Sequence, residues 1–81
     1  MKARITVTLK SGVLDPQGRA IANALHSLGF GGVEDVRQGK LIEVQLKAEN
    51  EAEARAELDA MCKQLLANTV IENYQVEIAG G

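Results

Sequence analysis

The chain has 81 residues, a net charge of −2, one cysteine and one histidine. A lone cysteine excludes an internal disulfide, and Cys62 with His26 falls short of the four ligands of a tetrahedral zinc site. A single domain of this length buries only roughly 60–65% of its unfolded surface, so association with other chains is the expected supplement to its stability.

The acidic balance gives no general attraction for nucleic acid, and no apolar run reaches membrane-spanning length. With one thiol and no export signal, the chain is expected in the cytoplasm. The charge is unevenly spread. Residues 1–40 carry six cations against three anions, and residues 41–81 carry three against eight. Such opposed patches suit the orientation of subunits during assembly.

Residues 3–9 alternate, with Ile5, Val7 and Leu9 on one side and Arg4, Thr6 and Thr8 on the other, which predicts a half-buried strand. A loop over Lys10–Leu14 leads to Asp15-Pro16-Gln17-Gly18, a helix start. Asp15 is placed to cap the first turn, and Pro16 stands where its missing N–H costs nothing. Gly18 is a poor helix former that local structure does not explain. The helix is predicted over Pro16–Leu28, with Ala20, Ile21, Ala24, Leu25 and Leu28 as an apolar stripe and Gly29 as a left-handed cap.

Phe30-Gly31-Gly32 connects to a second predicted strand over Val33–Arg37. The turn Gln38-Gly39-Lys40 reverses the chain into a third, Leu41–Lys47. Asn50 with Glu53 forms a capping box that opens a second helix, whose buried stripe is Ala54, Leu58, Met61, Cys62 and Leu65. Glu51–Arg55 and Asp59–Lys63 are favourable i,i+4 pairs on its wet side. Asn68 is expected to end it, and Tyr74, Val76 and Ile78 alternate in a last strand. The order βαββαβ predicts an α+β, ferredoxin-like sandwich: a four-stranded antiparallel sheet with both helices on one face. Residues 1–79 are expected to form one domain and Gly80-Gly81 a flexible tail.

The chain is poor in catalytic material. His26 reads as a solvated helix residue, and Cys62 as a small core residue with no basic partner near it in sequence. The glycines around Phe30 follow a helix and precede a strand, the reverse of a phosphate-cradling loop. With only Phe30 and Tyr74 as aromatics, the sheet lacks the stacking residues of an RNA-binding domain. A regulatory domain with a small-molecule site at a dimer interface stays open on these residues.

An ordered set of segments resembles the PurS family, the small subunit of phosphoribosylformylglycinamidine synthase. It comprises Val7-Thr8-Leu9-Lys10, Gly12-Val13-Leu14-Asp15-Pro16-Gln17-Gly18, Ala24-Leu25 and Leu28-Gly29-Phe30. Val33-Glu34-Asp35-Val36-Arg37 with Gly39-Lys40, Met61-Cys62, Leu65-Leu66-Ala67-Asn68 and Val70-Ile71-Glu72 complete it. Thr69 stands where a proline is expected. The resemblance implies a subunit without catalytic, cofactor or metal residues of its own. Its implied partners are further copies of itself, as a homodimer or homotetramer, a large PurL-type synthetase that uses ATP and Mg, and a PurQ-type glutaminase. Together they would convert formylglycinamide ribonucleotide to formylglycinamidine ribonucleotide, drawing ammonia from glutamine. Within that frame Asp15, Pro16, Gln17 and Gly18 are the expected partner-contact surface.

Overall fold

The computed structural model describes residues 1–79; the expected tail Gly80-Gly81 lies outside the described residues. Strand β1 runs over Lys2–Leu9, helix α1 over Pro16–Ser27, strand β2 over Lys40–Gln45, helix α2 over Glu51–Met61 and strand β3 over Glu72–Ala79. The sheet is antiparallel with order β2-β1-β3. Lys2 pairs with Gln45 on one side and with Ala79 on the other.

The period-two pattern decides the two faces. Ala3, Ile5 and Val7 of the central strand are fully buried, and α2 contributes Ala54 and Leu58, with Cys62 just beyond its end, to the same core. Arg4, Thr6, Thr8, Glu43, Gln45, Gln75 and Glu77 lie on the exposed outer face. There Glu43 sits 2.8 Å from the Lys2 ammonium and 3.8 Å from the Arg4 guanidinium, which lowers its carboxyl pKa.

Helix α2 begins as its capping pattern predicts. Asn50 accepts from the Glu53 N–H at 2.8 Å, and the Glu53 carboxylate accepts from the Glu49 N–H at 3.3 Å. Its exit differs from a plain helix. Residues Cys62–Leu66 form a π-helical turn, with the Ala67 N–H donating to the Cys62 carbonyl at 3.0 Å. The wider turn shifts the phase of the apolar stripe, so Leu65 swings out to 83% exposure while Ala67 turns inward. Asp59 pairs with Lys63 at 3.0 Å as expected, whereas Arg55 donates to the Val76 carbonyl at 3.3 Å instead of pairing with Glu51.

Two expectations need correction. The sheet has three strands, not four, and only α2 packs against it. Val33–Arg37 forms no strand and joins no sheet; it turns back along α1, with the Val36 carbonyl against Gly18. The Val33 carbonyl accepts from His26 Nε2 at 2.7 Å, and the adjoining Gln38 N–H donates to Asp15 at 2.8 Å. Helix α1 and this return segment therefore form an arm that leaves the sheet between β1 and β2. With the arm extended, the protein measures 50 × 27 × 14 Å.

Candidate functional site

Asp15 stands at the root of the arm and is the one buried charged residue among the described residues, at 7% exposure. Its extended backbone (φ −113°, ψ 94°) places the side chain across the start of α1. Oδ1 accepts from the Gly18 N–H at 2.9 Å, the N-terminal cap the sequence predicts. Oδ2 accepts from the Gln38 N–H at 2.8 Å, a bond that no local pattern announces. The Gln38 hydrogen bond, then the Gly18 hydrogen bond, hold the carboxyl below its ordinary pKa against the opposing effect of burial, with Arg37 adding its charge.

Gly18 has a tertiary reason. A Cβ at this position would lie 2.1 Å from the Val36 carbonyl oxygen and 2.9 Å from Asp15 Oδ2. Only glycine allows the return segment to approach α1 so closely. Arg37 ties the same knot from the other side. Its guanidinium donates to the Val13 carbonyl at 2.9 Å and to the Lys10 carbonyl at 3.0 Å, fastening the loop between β1 and α1. The sequence reading missed Arg37 in this role, because it had placed the residue in a strand. The only signal available was that Arg37 falls inside one of the resembling segments.

Pro16 and Gln17 are the exposed half of the predicted contact residues. They line a cleft of about 500 Å³ at the end of the sheet, with Val7, Leu9, Gln38, Gly39, Lys40 and Glu72 as the other walls besides Asp15. A second hollow of about 300 Å³ lies between α1 and the return segment, lined by Arg19, Asn23, His26, Glu34, Asp35 and Arg37 among others. The four predicted residues thus occupy one place but divide in two: Asp15 and Gly18 point into the knot, Pro16 and Gln17 into the open cleft.

His26 and Cys62 are not brought together. His26 sits on the exposed arm, with Nε2 donating to a backbone carbonyl. Cys62 is fully buried under α2, and burial, then the nearby Asp59 charge, push its thiol pKa up, away from a reactive thiolate. Beside it the Tyr74 hydroxyl donates to Asp59 Oδ1. This bond raises the Tyr74 pKa to about 12 and lowers that of Asp59. Among the described residues, no group of three or more His, Cys, Asp or Glu is placed to hold a metal ion. The same residues include no helix long and apolar enough to cross a membrane.

Comparison with known proteins accords with these features. The family model described as PurS, phosphoribosylformylglycinamidine (FGAM) synthase, matches residues 2–80. The chain is similar to the phosphoribosylformylglycinamidine synthase subunit PurS of Synechocystis, at 59% identity over 93% of this chain and 75% of that protein. Identity to the Methanocaldococcus jannaschii subunit is 44%, over 95% of this chain and 93% of the other. The crystal structure of PurS from M. jannaschii superposes with a TM-score of 0.85 at 45% identity, covering 94% of this chain and 92% of that one. A chain in the structure of PurLQS from Thermotoga maritima gives a TM-score of 0.85 at 36% identity, over 94% and 93% of the two chains. A family match along almost the whole length, carried by relatives well above 30% identity, makes this chain a member of the PurS family of phosphoribosylformylglycinamidine synthase subunits.

Proposed function

We propose that this chain is the non-catalytic assembly subunit of phosphoribosylformylglycinamidine synthase. It joins a PurL-type synthetase to a PurQ-type glutaminase and supports ammonia transfer between them, in the cytoplasm and as an oligomer of itself. ATP and Mg belong to the synthetase. The observation that carries this reading is the near-full-length similarity to a PurLQS structure. The site chemistry agrees, since the knot around Asp15 spends its polar groups on holding the arm in place.

Within that assembly, Pro16 and Gln17 are the residues offered to a partner, while Asp15 and Gly18 shape the surface from behind. Residues 1–79 act as one domain in this role. The test is reconstitution. Adding the chain to the two larger subunits is expected to restore glutamine-dependent amidation of formylglycinamide ribonucleotide, while amidation with free ammonia by the synthetase is far less affected. Absence of a stable complex and no gain with glutamine would sink the reading. The Gln17→Ala chain, with helical circular dichroism unchanged, is expected to bind the larger subunits roughly tenfold more weakly, the scale of a well-packed interface side chain. Binding equal to that of the unsubstituted chain would remove Gln17 from the contact.

A further inference from the structure

Helix α1 packs along no strand of the sheet and not along α2, so within the chain the direction of the arm is decided at its root. Two segments meet there, residues 10–15 on the way out and residues 36–39 on the way back. Each holds the backbone of the other with a charged side chain. Asp15, on the way out, accepts from the Gln38 N–H at 2.8 Å. Arg37, on the way back, donates through one terminal nitrogen to the Val13 carbonyl at 2.9 Å and through the other to the Lys10 carbonyl at 3.0 Å. The two grips are reciprocal, a carboxylate on an amide and a guanidinium on two carbonyls.

This clasp is anchored to the sheet on both sides. Lys10, whose carbonyl Arg37 holds, donates its own N–H to the Ile71 carbonyl at 2.8 Å, beside the start of β3. Gly39 presses against β1: a Cβ there would lie 2.7 Å from the Val7 carbonyl oxygen and 3.1 Å from Thr8 Cγ2. Farther out, the bond of His26 to the Val33 carbonyl at 2.7 Å ties the return segment to α1, so the arm turns as one body. Such an arm is a lever. The 12 residues of α1 span about 18 Å, so a turn of about 20° at the root moves the far end by about 6 Å.

We propose that Arg37, working with Asp15, is a positioning residue for glutamine-dependent amidation. Its planar fork fixes the angle of the arm, and with it the relative places at which the two larger subunits are held. The proposal rests on the assembly reading. Misplacement by about 1 Å far from the chemistry is enough to cost about 100-fold in rate, so a displacement on the scale of this lever is large. A lysine supplies the charge of Arg37 but not the fork that spans two carbonyls.

Chains carrying Arg37→Ala and Arg37→Lys are each combined with the two larger subunits, at concentrations that saturate complex formation. In each complex the glutamine-dependent rate is divided by the rate with free ammonia. Both variants are expected to lower this ratio on the order of tenfold relative to the unsubstituted chain. A ratio unchanged by Arg37→Ala would overturn the proposal. So would a normal ratio with Arg37→Lys, which would leave charge alone as the requirement. In the isolated chain, hydrogen exchange reads the clasp itself. The Gln38 amide of both variants is expected to exchange on the order of tenfold faster, while the Ile5 and Val7 amides of the core strand keep their protection. Unchanged exchange at Gln38, or loss of protection at Ile5 and Val7 as well, would equally overturn the positioning role. An unsubstituted chain that fails to raise the ratio sinks the assembly reading instead, and the exchange result still decides whether Arg37 holds the arm.

Discussion

At Gly18, a residue that weakens its own helix makes the arm possible. Pro16 and Asp15 are explained by the first turn alone, and the sequence is legible there because a cap is a contact between near neighbours. Gly18 answers to Val36, eighteen positions further on, and no local pattern carries that distance. Arg37 is the same case, since its acceptors are the carbonyls of Lys10 and Val13. Gly18→Ala is expected to cost about 1–3 kcal/mol, because the new methyl must displace a backbone carbonyl rather than a flexible side chain. Urea denaturation followed by circular dichroism measures it. A stability equal to that of the unsubstituted chain would mean that the return segment moves aside freely.

For the elements, the hydrophobic periods identify the inner faces of the strands and the start of the α2 stripe, whereas the stripe expected on α1 is mostly exposed and its partner was left undetermined. The stripe Ala54–Leu58–Cys62 was legible and is buried; Leu65 was expected beside it and is exposed, because a π-helical turn has no sequence signature that a 3.6-residue period would detect. Leu58→Ala is therefore expected to cost about 2–5 kcal/mol, while Leu65→Ala changes stability by no more than about 0.5 kcal/mol. The same denaturation experiment on both variants separates them. Val33–Arg37 was expected as a strand, yet it pairs with no strand of the sheet: the Val33 carbonyl is held by His26 of α1, and the adjoining Gln38 N–H by Asp15.

The link between α2 and β3 makes a pH prediction. Tyr74 is the only tyrosine and there is no tryptophan, so tyrosinate absorbance reports this one group. Its pKa is raised to about 12 by the bond to Asp59, with burial second. A raised folded value contributes stability that is fully present below pH ~10, the unfolded value, and that is lost as pH rises through about 12. The native chain is expected to ionise near pH 12, and the Asp59→Asn chain at a lower pH. Coincident titrations of the two would show that the hydrogen bond does not hold the phenol.

Taken whole, the molecule explains why three strands and two helices of the expected βαββαβ order were readable, while the fourth strand and the ferredoxin-like packing were not. Each element other than Val33–Arg37 is where its pattern placed it, within a residue or two at the ends once the π-helical turn is counted with α2. What the pattern could not convey is whether an apolar stripe docks on its own sheet or elsewhere. For a folded chain that associates, the melting temperature is expected to rise with protein concentration by mass action. Melts across a hundredfold dilution series check this, and a flat series would mark the chain as a monomer that unfolds alone.

The pairing of Lys2 with Ala79 sets the timing of folding during synthesis. Among the described elements, the central strand leaves the ribosome first and its β3 partner last. Until β3 has emerged, one edge of β1 stands open beside an unsealed core, in the state most prone to join the wrong strand. A chain cut before Glu72 would retain the arm and α2 but lack the strand against which α2 packs.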